Sequence, residues 1–485
     1  MPTDNIVNNR LKQIQLTQNQ LNVFEKFKNF LKNTEQRIFI LRGYAGTGKT
    51  TLVRFFIDEM RKSELNYILM ASTGRAAKIL SNATHLKAST VHSVIYSFKD
   101  FNQDLEEIVK QEDETGVDKT GQLFLTFELI PMIEDEKQRI YVIDEASMIS
   151  DVKDETANQA LFGSGKLLTD LMSYDKYGKF VFVGDECQLP PIGQDISPAL
   201  SADYFKSHFG LDAIDTSLTE IVRQEQGNTI IQASHRIRQL YSNPPKVKWG
   251  TLPLGSYQHI QLYPDVVSMI NTYLSLIKQH SYDKASFIAS SNNKCKAMNT
   301  LIRSSLGRSQ ELQAGDLLLV TQNNIISGFM NGDMVVIEQV KPVRHYRAQL
   351  SFQLVKVREL VTGRVFSQFI IEDILHSNIT NLTQAQQKAL FIDFYRRMRT
   401  KGIEQKDLLF KEMLNTDEYL NALRCVYGYT ITCHKAQGGE WDEVCIDIPR
   451  NLTLNAKATD YQWIYTAVTR AKKRLHLVKD FFIGR

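Results

Sequence analysis

The sequence predicts an α/β chain with two parallel sheets, one in each half, and two smaller β insertions. Several short apolar runs each end in a Gly- or acid-containing turn and pass into helical periodicity, the strand–turn–helix grammar of parallel sheets. Four of these runs fall before residue 185 and two after 285, which predicts two sheets rather than one. Two segments, near 95–138 and 335–380, break the grammar. The chain has 485 residues, 43% hydrophobic and 23% charged, enough for about two to four domains with buried cores. That balance excludes disorder, collagen-like repetition and coiled coil as its main character.

In chain order, the strand candidates are 37–41, 67–70, 139–143 and 180–183, then 285–289 and 444–448. Their near-continuous β-branched and aromatic character suits strands covered on both faces. Between the two groups lies a helical stretch broken at Asn243-Pro244-Pro245, a connection between lobes. The first insertion holds an acidic loop, 104–122, before the apolar run 123–127, and reads as a hairpin. In the second, 349–357 alternates with period two and a Thr362-Gly363 turn precedes 365–370. This predicts a small antiparallel sheet or barrel, followed by a helical arm with a basic run at 396–401.

Lys and Arg total 58 against 54 Asp and Glu, a net charge of +4, so any groove for a polyanion must be local. The five cysteines are dispersed and form no C-x-x-C pair. A disulfide framework and a zinc ribbon are both disfavoured, and a reducing compartment fits. No uncharged apolar stretch reaches the length of about 18 residues that a membrane span requires, and the first residues contain no apolar core of a leader. A cytoplasmic location and no membrane partner are expected.

The sharpest motif is Gly43-Tyr44-Ala45-Gly46-Thr47-Gly48-Lys49-Thr50, a full G-x-x-x-x-G-K-T between a strand and a helical run. Backbone N–H groups of such a loop close on phosphate oxygens, and the helix N-terminus adds its positive dipole end. Gly43, Gly46, Gly48, Lys49, Thr50 and Thr51 are the candidate ATP-binding set. Lys49 is assigned to the β/γ-phosphates and Thr50 to Mg²⁺. A second apolar run ends in Asp144-Glu145. Adjacent carboxylates there can divide the labour, Asp144 holding Mg²⁺ and Glu145 deprotonating the attacking water. A water-activating Glu points to hydrolysis and away from a kinase.

Further motifs in order make the chain resemble the superfamily 1 DNA helicases, in particular their RecD-like and phage Dda-like branch, from about residue 16 to residue 474. Leu16-Thr17-Gln18-Asn19-Gln20 looks like the Q motif, which implies that Gln20 reads adenine. The segment 183–191, VGDECQLPP, is similar to motif III, with Gln188 as its γ-phosphate sensor. The segment 218–224 resembles motif IV and implies that Arg223 touches the γ-phosphate. Tyr465-Thr466-Ala467-Val468-Thr469-Arg470-Ala471 matches motif VI and makes Arg470 the second arginine finger. An arginine supplied from a second lobe ties hydrolysis to lobe closure.

The same resemblance implies a DNA track. Ala71-Ser72-Thr73-Gly74-Arg75 looks like motif Ia, with Thr73 and Arg75 on DNA and Ser72 in place of the usual proline. Thr90-Val91-His92 resembles the Thr-x-His segment that follows, with Thr90 and His92 on DNA. The segment 432–440 is similar to motif V, with Thr432 and His434 facing the strand and Glu440 the ribose of ATP. Gly439 stands where relatives often carry Ser. Small hydroxyls and neutral imidazoles suit backbone contacts that must be released in every cycle.

The resemblance thus implies two RecA-like lobes. Residues 1–94 and 139–235 form lobe 1A with an inserted 1B hairpin at 95–138. Residues 236–335 and 425–485 form lobe 2A with an inserted SH3-like 2B β-domain at 336–424. It further implies an ATP- and Mg²⁺-dependent monomer that moves 5′→3′ on single-stranded and forked DNA, alongside replication, repair or recombination proteins. The 1B segment, with Phe98, Phe101, Phe124 and Phe127, is the expected strand-separating pin. An RNA helicase of the same superfamily and a non-unwinding ATP- and DNA-binding subunit stay open as alternatives.

Overall fold

A computed structural model of the chain describes residues 15–115, 123, 125–132, 138–153, 160–222, 228–280 and 282–484. Strands β1 (Ile38–Gly43), β2 (Asn66–Ala71) and β3 (Ala88–Thr90) precede the first insertion, which carries β4 (Tyr96–Phe101) and β5 (Leu125–Leu129). Then come β6 (Arg139–Asp144), β7 (Ala160–Phe162), β8 (Lys179–Gly184) and β9 (Ala213–Leu218). Six of these form one sheet in the order β3-β2-β6-β8-β1-β9, parallel throughout. All six residues of β8 are buried, as a strand covered on both faces requires. Because the strands are parallel, β1, β6 and β8 all end at one edge of the sheet. The P-loop, the acid pair and motif III therefore emerge side by side.

Helices α1 (Gln18–Lys32), α2 (Lys49–Lys62) and α3 (Gly74–Thr84) belong to this half. Helix α1 opens with a capping box between Thr17 and Gln20, worth about 1 kcal/mol. Its Phe27 ring stacks on Phe56 of α2 at 3.8 Å and meets Phe39 of β1 edge-on at 5.6 Å. The Q segment is thereby fixed to the P-loop helix.

The second half contains β10 (Leu252–Pro253), β11 (Ile260–Tyr263), β12 (Ala285–Ala289), β13 (Leu317–Val320), β14 (Met334–Arg347), β15 (Leu350–Glu359), β16 (Val365–Ile371) and β17 (Cys425–Tyr427). After these come β18 (Thr430–Thr432), β19 (Trp441–Ile446), β20 (Ala471–Val478) and β21 (Ile483–Gly484), which pairs with β10. A second parallel sheet has the order β11-β20-β19-β12-β18. The alternating segment forms an antiparallel sheet, β16-β15-β14-β13-β17. Ile370 of its outer strand β16 bridges to Leu423, just before the other outer strand, β17. The sheet reaches outside 336–424 at both ends, taking in β13 and β17. The run Leu317-Leu318-Leu319-Val320 is fully buried, and a short apolar run of this kind has no periodicity to distinguish parallel from antiparallel pairing.

The first insertion departs from its expected form. Helices α4 (Val91–Ile95) and α5 (Leu105–Thr115) flank β4, so the acidic stretch begins as a helix rather than a loop. Strand β5 pairs antiparallel with β4 and parallel with β7, giving three strands instead of a two-stranded hairpin. Of the aromatic residues expected on a pin, Phe101 is buried, and Phe98 and Phe127 are half-buried and packed against other rings. Phe98 lies edge-on to both Phe101 and Phe127, and Phe127 stacks on Phe162 at 4.5 Å. Phe124 lies outside the described residues.

Helices α6 (Thr229–Ser242), α7 (Gln384–Thr400), α8 (Cys433–Ala436) and α9 (Ala458–Val468) complete the frame used below. Phe101 meets Phe391 of α7 edge-on at 5.0 Å, and Leu105, Ile108 and Val109 of α5 share one apolar cluster with α7. Leu105 N–H donates to Gln405 Oε1 at 3.1 Å. The two insertions are therefore sealed to each other by apolar burial. All five cysteines are free and buried. Among the described residues, no helix is long and apolar enough to cross a membrane.

Candidate functional site

A cavity of about 690 Å³ lies where the two halves meet. The first half lines it with Gly46, Gly48, Lys49, Thr50, Thr51, Asp144, Glu145 and Gln188, the second with Gly438, Glu440, Trp441 and Arg470. The P-loop turns into α2 at Gly48, whose φ of 80° is left-handed. A Cβ there would also sit 2.6 Å from Gln20 Nε2, so both conformation and space require glycine. Lys49 Nζ donates to the carbonyls of Gly43 at 2.6 Å and Tyr44 at 3.2 Å, which holds its charge at the mouth of the loop.

Asp144 ends β6 and Glu145 follows with a φ of 50°. This left-handed conformation costs a non-glycine residue about 1 kcal/mol or more and is held by its surroundings. Asp144 Oδ1 accepts Glu145 N–H at 2.9 Å, and the Ser72 hydroxyl donates to Glu145 O at 2.8 Å. Ser72, standing where proline is usual, thus supplies a direct tie to the acid pair. Burial, then the adjacent Asp144, raises the Glu145 carboxyl to about 7. Burial also raises Asp144, opposed by the Glu145 N–H and by Lys49. A carboxyl near 7 is suited to accept a proton.

Arg470 reaches this cavity from the second half, following α9. Its Nε donates to Thr466 O at 2.9 Å, Nη1 to Gly439 O at 3.1 Å and Nη2 to Thr469 Oγ1 at 3.1 Å. Only 3% of it is exposed, yet no carboxylate is among these partners. Around it, side chains of the second half grip the motif III backbone. Leu189 N–H donates to Thr466 Oγ1 at 2.9 Å, Gln437 Nε2 to Leu189 O at 3.0 Å and Gln462 Nε2 to Gln188 O at 3.2 Å. Gln188 is buried, lines the cavity, and leaves its own Oε1 without a partner. Arg223 lies outside the described residues.

Gln20 is placed against the P-loop with both ends of its amide engaged. Oε1 accepts Thr17 N–H at 3.1 Å, and Nε2 donates to Thr47 O at 3.0 Å. In this arrangement it braces the loop to the start of α1.

The residues expected on DNA divide into two groups. Thr73 and Thr432 are N-caps, of α3 and α8, accepting N–H from Ala76 and Lys435. Each stands half-buried at a helix N-terminus, where phosphate is favoured. His434 is half-buried beside Thr432, and burial with Lys435 lowers its pKa below the ordinary imidazole value. Thr90 and Arg75 are placed otherwise. Thr90 is 5% exposed and its hydroxyl both caps α4 and donates to Ser93 Oγ at 3.0 Å, so it serves the fold. Arg75 lines the inter-lobe cavity, with its guanidinium 4.4 Å from the Trp441 ring centroid. His92 packs edge-on to Phe162 at 5.2 Å, and burial lowers its pKa.

Residues 15–242 match the AAA domain family, and residues 427–478 match the UvrD-like helicase C-terminal domain family. The ATP-dependent DNA helicase Dda of Enterobacteria phage T4 is 24% identical over 82% of this chain and 79% of its own length. The ATP-dependent RecD2 DNA helicase of Deinococcus radiodurans is 26% identical over 44% of this chain and 23% of its own. The chain is an ATP-dependent DNA helicase, similar to the RecD-like and Dda-like branch of superfamily 1. An uncharacterized protein of Acanthamoeba polyphaga mimivirus is 23% identical over 93% of this helicase and 97% of its own length. A solved structure of two coordinating Pif1 helicases at forked double-stranded DNA overlaps 97% of this chain and 95% of that one, with 17% identity and a TM-score of 0.49.

Sequence reasoning about this helicase missed the residues that join its halves. Tyr465 and Thr466 lie in a quoted motif, and Gln437 in another, but motif matching points to Arg470 and passes over its neighbours. Gln462, two turns before Arg470, carried no signal. The Tyr44 ring, covered by the Arg238 guanidinium of α6 at 3.6 Å, was also unforeseen, because cation–π pairs leave no trace in spacing.

Proposed function

We propose that this helicase is an ATP- and Mg²⁺-dependent motor that moves 5′→3′ along single-stranded DNA and opens duplex ahead of it, acting as a monomer. The observation that carries the reading is that Arg470, from the second half, lines the same cavity as Lys49, Asp144 and Glu145 of the first. Hydrolysis then needs both halves, and any change in their separation changes the chemistry. The names of the Dda and RecD2 relatives support DNA as the track.

In this scheme Lys49 binds the β/γ-phosphates, and Thr51 and Glu440 complete the nucleotide contacts. Thr50 and Asp144 line the cavity together and offer the hydroxyl and carboxylate oxygens that a hard cation takes. When bound, Mg²⁺ neutralises phosphate charge. Glu145 accepts the proton of the attacking water, while Arg470 and Arg223 face the charge that develops on the terminal phosphoryl group. Gln188 carries that event into motif III. Thr73 and Thr432, each at a helix N-terminus, grip successive phosphates with His434, one grip per lobe, and release them in alternation. The lobes are 1–94 with 139–235, and 236–335 with 425–485 apart from β13 and β17, which join the antiparallel sheet.

The deciding experiment is unwinding of matched duplexes bearing a 5′ tail, a 3′ tail or no tail. Opening of the 5′-tailed substrate alone is expected. Opening of the 3′-tailed substrate alone would reverse the polarity. Stronger ATPase stimulation by ribo- than by deoxy-oligonucleotide would make RNA the track, and no turnover at saturating single-stranded DNA would reduce the protein to a binding subunit.

A further inference from the structure

Arg75 is 9% exposed, and its Nε has no hydrogen-bond partner among the described residues. Its guanidinium rests on the Trp441 ring inside the inter-lobe cavity. A buried arginine ordinarily has a carboxylate. The nearby Asp333 is already paired with Lys78, with which it closes α3 onto the second half. On its other flank lies a like charge. Gly439 separates the two arginines, its carbonyl accepting from Arg470 Nη1 at 3.1 Å, while a Cβ on it would lie 2.7 Å from Arg75 Cζ. The absence of a side chain at 439 is thus what admits Arg75 to the cavity. Burial lowers the Arg75 pKa to about 10, Asp333 and Glu359 opposing the shift and Arg470 adding to it, so the guanidinium remains charged near neutrality. Two buried guanidiniums beside Lys49 form a site for an anion with several oxygens.

We propose that Arg75 is a third cleft arginine, which leaves the Trp441 face to bind the γ-phosphoryl group of a nucleoside triphosphate and so distinguishes ATP from ADP. The inference rests on the ATP-driven reading above. It also gives α3 two roles on opposite sides: Thr73 caps its start toward the track, and Arg75 reports the nucleotide.

The test measures equilibrium binding of ATPγS and ADP to the full chain and to Arg75→Ala, Arg75→Lys and Gly439→Ser. Tryptophan emission is followed in a Trp249→Phe/Trp463→Phe background that leaves Trp441 alone. Arg75→Ala should weaken ATPγS about tenfold or more while ADP changes by about twofold or less. Gly439→Ser should do the same, since its Cβ expels the guanidinium, and Arg75→Lys should fall between. ATPγS but not ADP should shift Trp441 emission, and Arg75→Ala should abolish that shift. If Arg75→Ala is poorly folded, the lysine and serine variants decide the matter. Equal losses for both nucleotides, or none, would overturn the assignment of Arg75 alone. Failure of the parental chain to bind ATPγS would overturn the proposed function, and Arg75 with it.

Discussion

Tyr465 donates its phenol proton to Asp185 Oδ2 at 2.8 Å, and its oxygen accepts Ala45 N–H at 3.2 Å. One hydroxyl from the second half thus touches both the P-loop and motif III. Tyr465 and Asp185 are each 1% exposed, so neither can exchange its partner for water. Tyr465→Phe leaves a buried carboxylate oxygen without that donor, at a cost of about 1–3 kcal/mol. The expected outcome is a lowered Tm and ATP turnover that responds less to single-stranded DNA, with ADP affinity close to parental. Undiminished stimulation by DNA would show that the contact is only structural.

The Glu145 carboxyl, raised to about 7 from an ordinary 4.5, sets a pH limb. As a base it must be ionised, so kcat/KM, which reports the nucleotide-free enzyme, should rise with pH through about 7 and level off above it. Glu145→Gln should bind ATP normally, lose about 10²–10⁴ in turnover and lack that limb. The stability sign is opposite. A folded-state pKa above the unfolded one favours the protonated protein, so this contribution is full below 4.5 and lost as pH rises through about 7. Thermal melts of nucleotide-free protein between pH 5 and 8 should fall with pH more steeply for the parent than for Glu145→Gln.

Lys49→Ala and Arg470→Ala should both abolish hydrolysis but for different reasons. Loss of Lys49 removes charge from the bound phosphates, so affinity for nucleotide falls too. Loss of Arg470 acts on transition-state charge, with turnover reduced about 10³-fold and affinity far less affected. Titrations of ATPγS on the two variants separate the cases.

Gln20→Ala provides a test of the brace. Because its amide is engaged by Thr17 N–H and Thr47 O, the variant should bind ATP and GTP more weakly by a similar factor and be less stable by about 1–2 kcal/mol. A selective loss for ATP would restore adenine reading as its main role.

Much of the fold was legible for a simple reason. A parallel strand buried on both faces, such as Phe180-Val181-Phe182-Val183, must be apolar at every position, and six such runs became β1, β2, β6, β8, β12 and β19. Three-residue strands such as β3 and β18 are too short to register, and each touches a motif only at its last residue, Thr90 and Thr432. The acidic stretch before Leu123 was read as a loop because its charges mask Leu105, Ile108 and Val109, the buried face of α5. The P-loop and acid pair were legible because the chemistry fixes both residue type and position. Arg75 was not. It follows Thr73 by two positions, and at 3.6 residues per turn that step rotates a side chain by about 200°. Two neighbours in one motif thus serve opposite sides of one helix, a distinction that only the packing of Gly439 and Trp441 reveals.

The burial of every cysteine gives the protein an internal clock. Burial raises the pKa of each thiol and hides it from solvent, so a small electrophile can react only when the surrounding structure parts. Cys187, in motif III of the first half, packs into the second half's apolar cluster, so it would record separation of the halves. Cys425, Cys433, whose Sγ donates to Trp463 O at 3.5 Å, and Cys445 lie in the second half's apolar cluster, and Cys295 is buried in the same half, so these four would record its loosening. The order in which five native thiols become alkylated would therefore time domain parting against internal unfolding, with no label added to the chain.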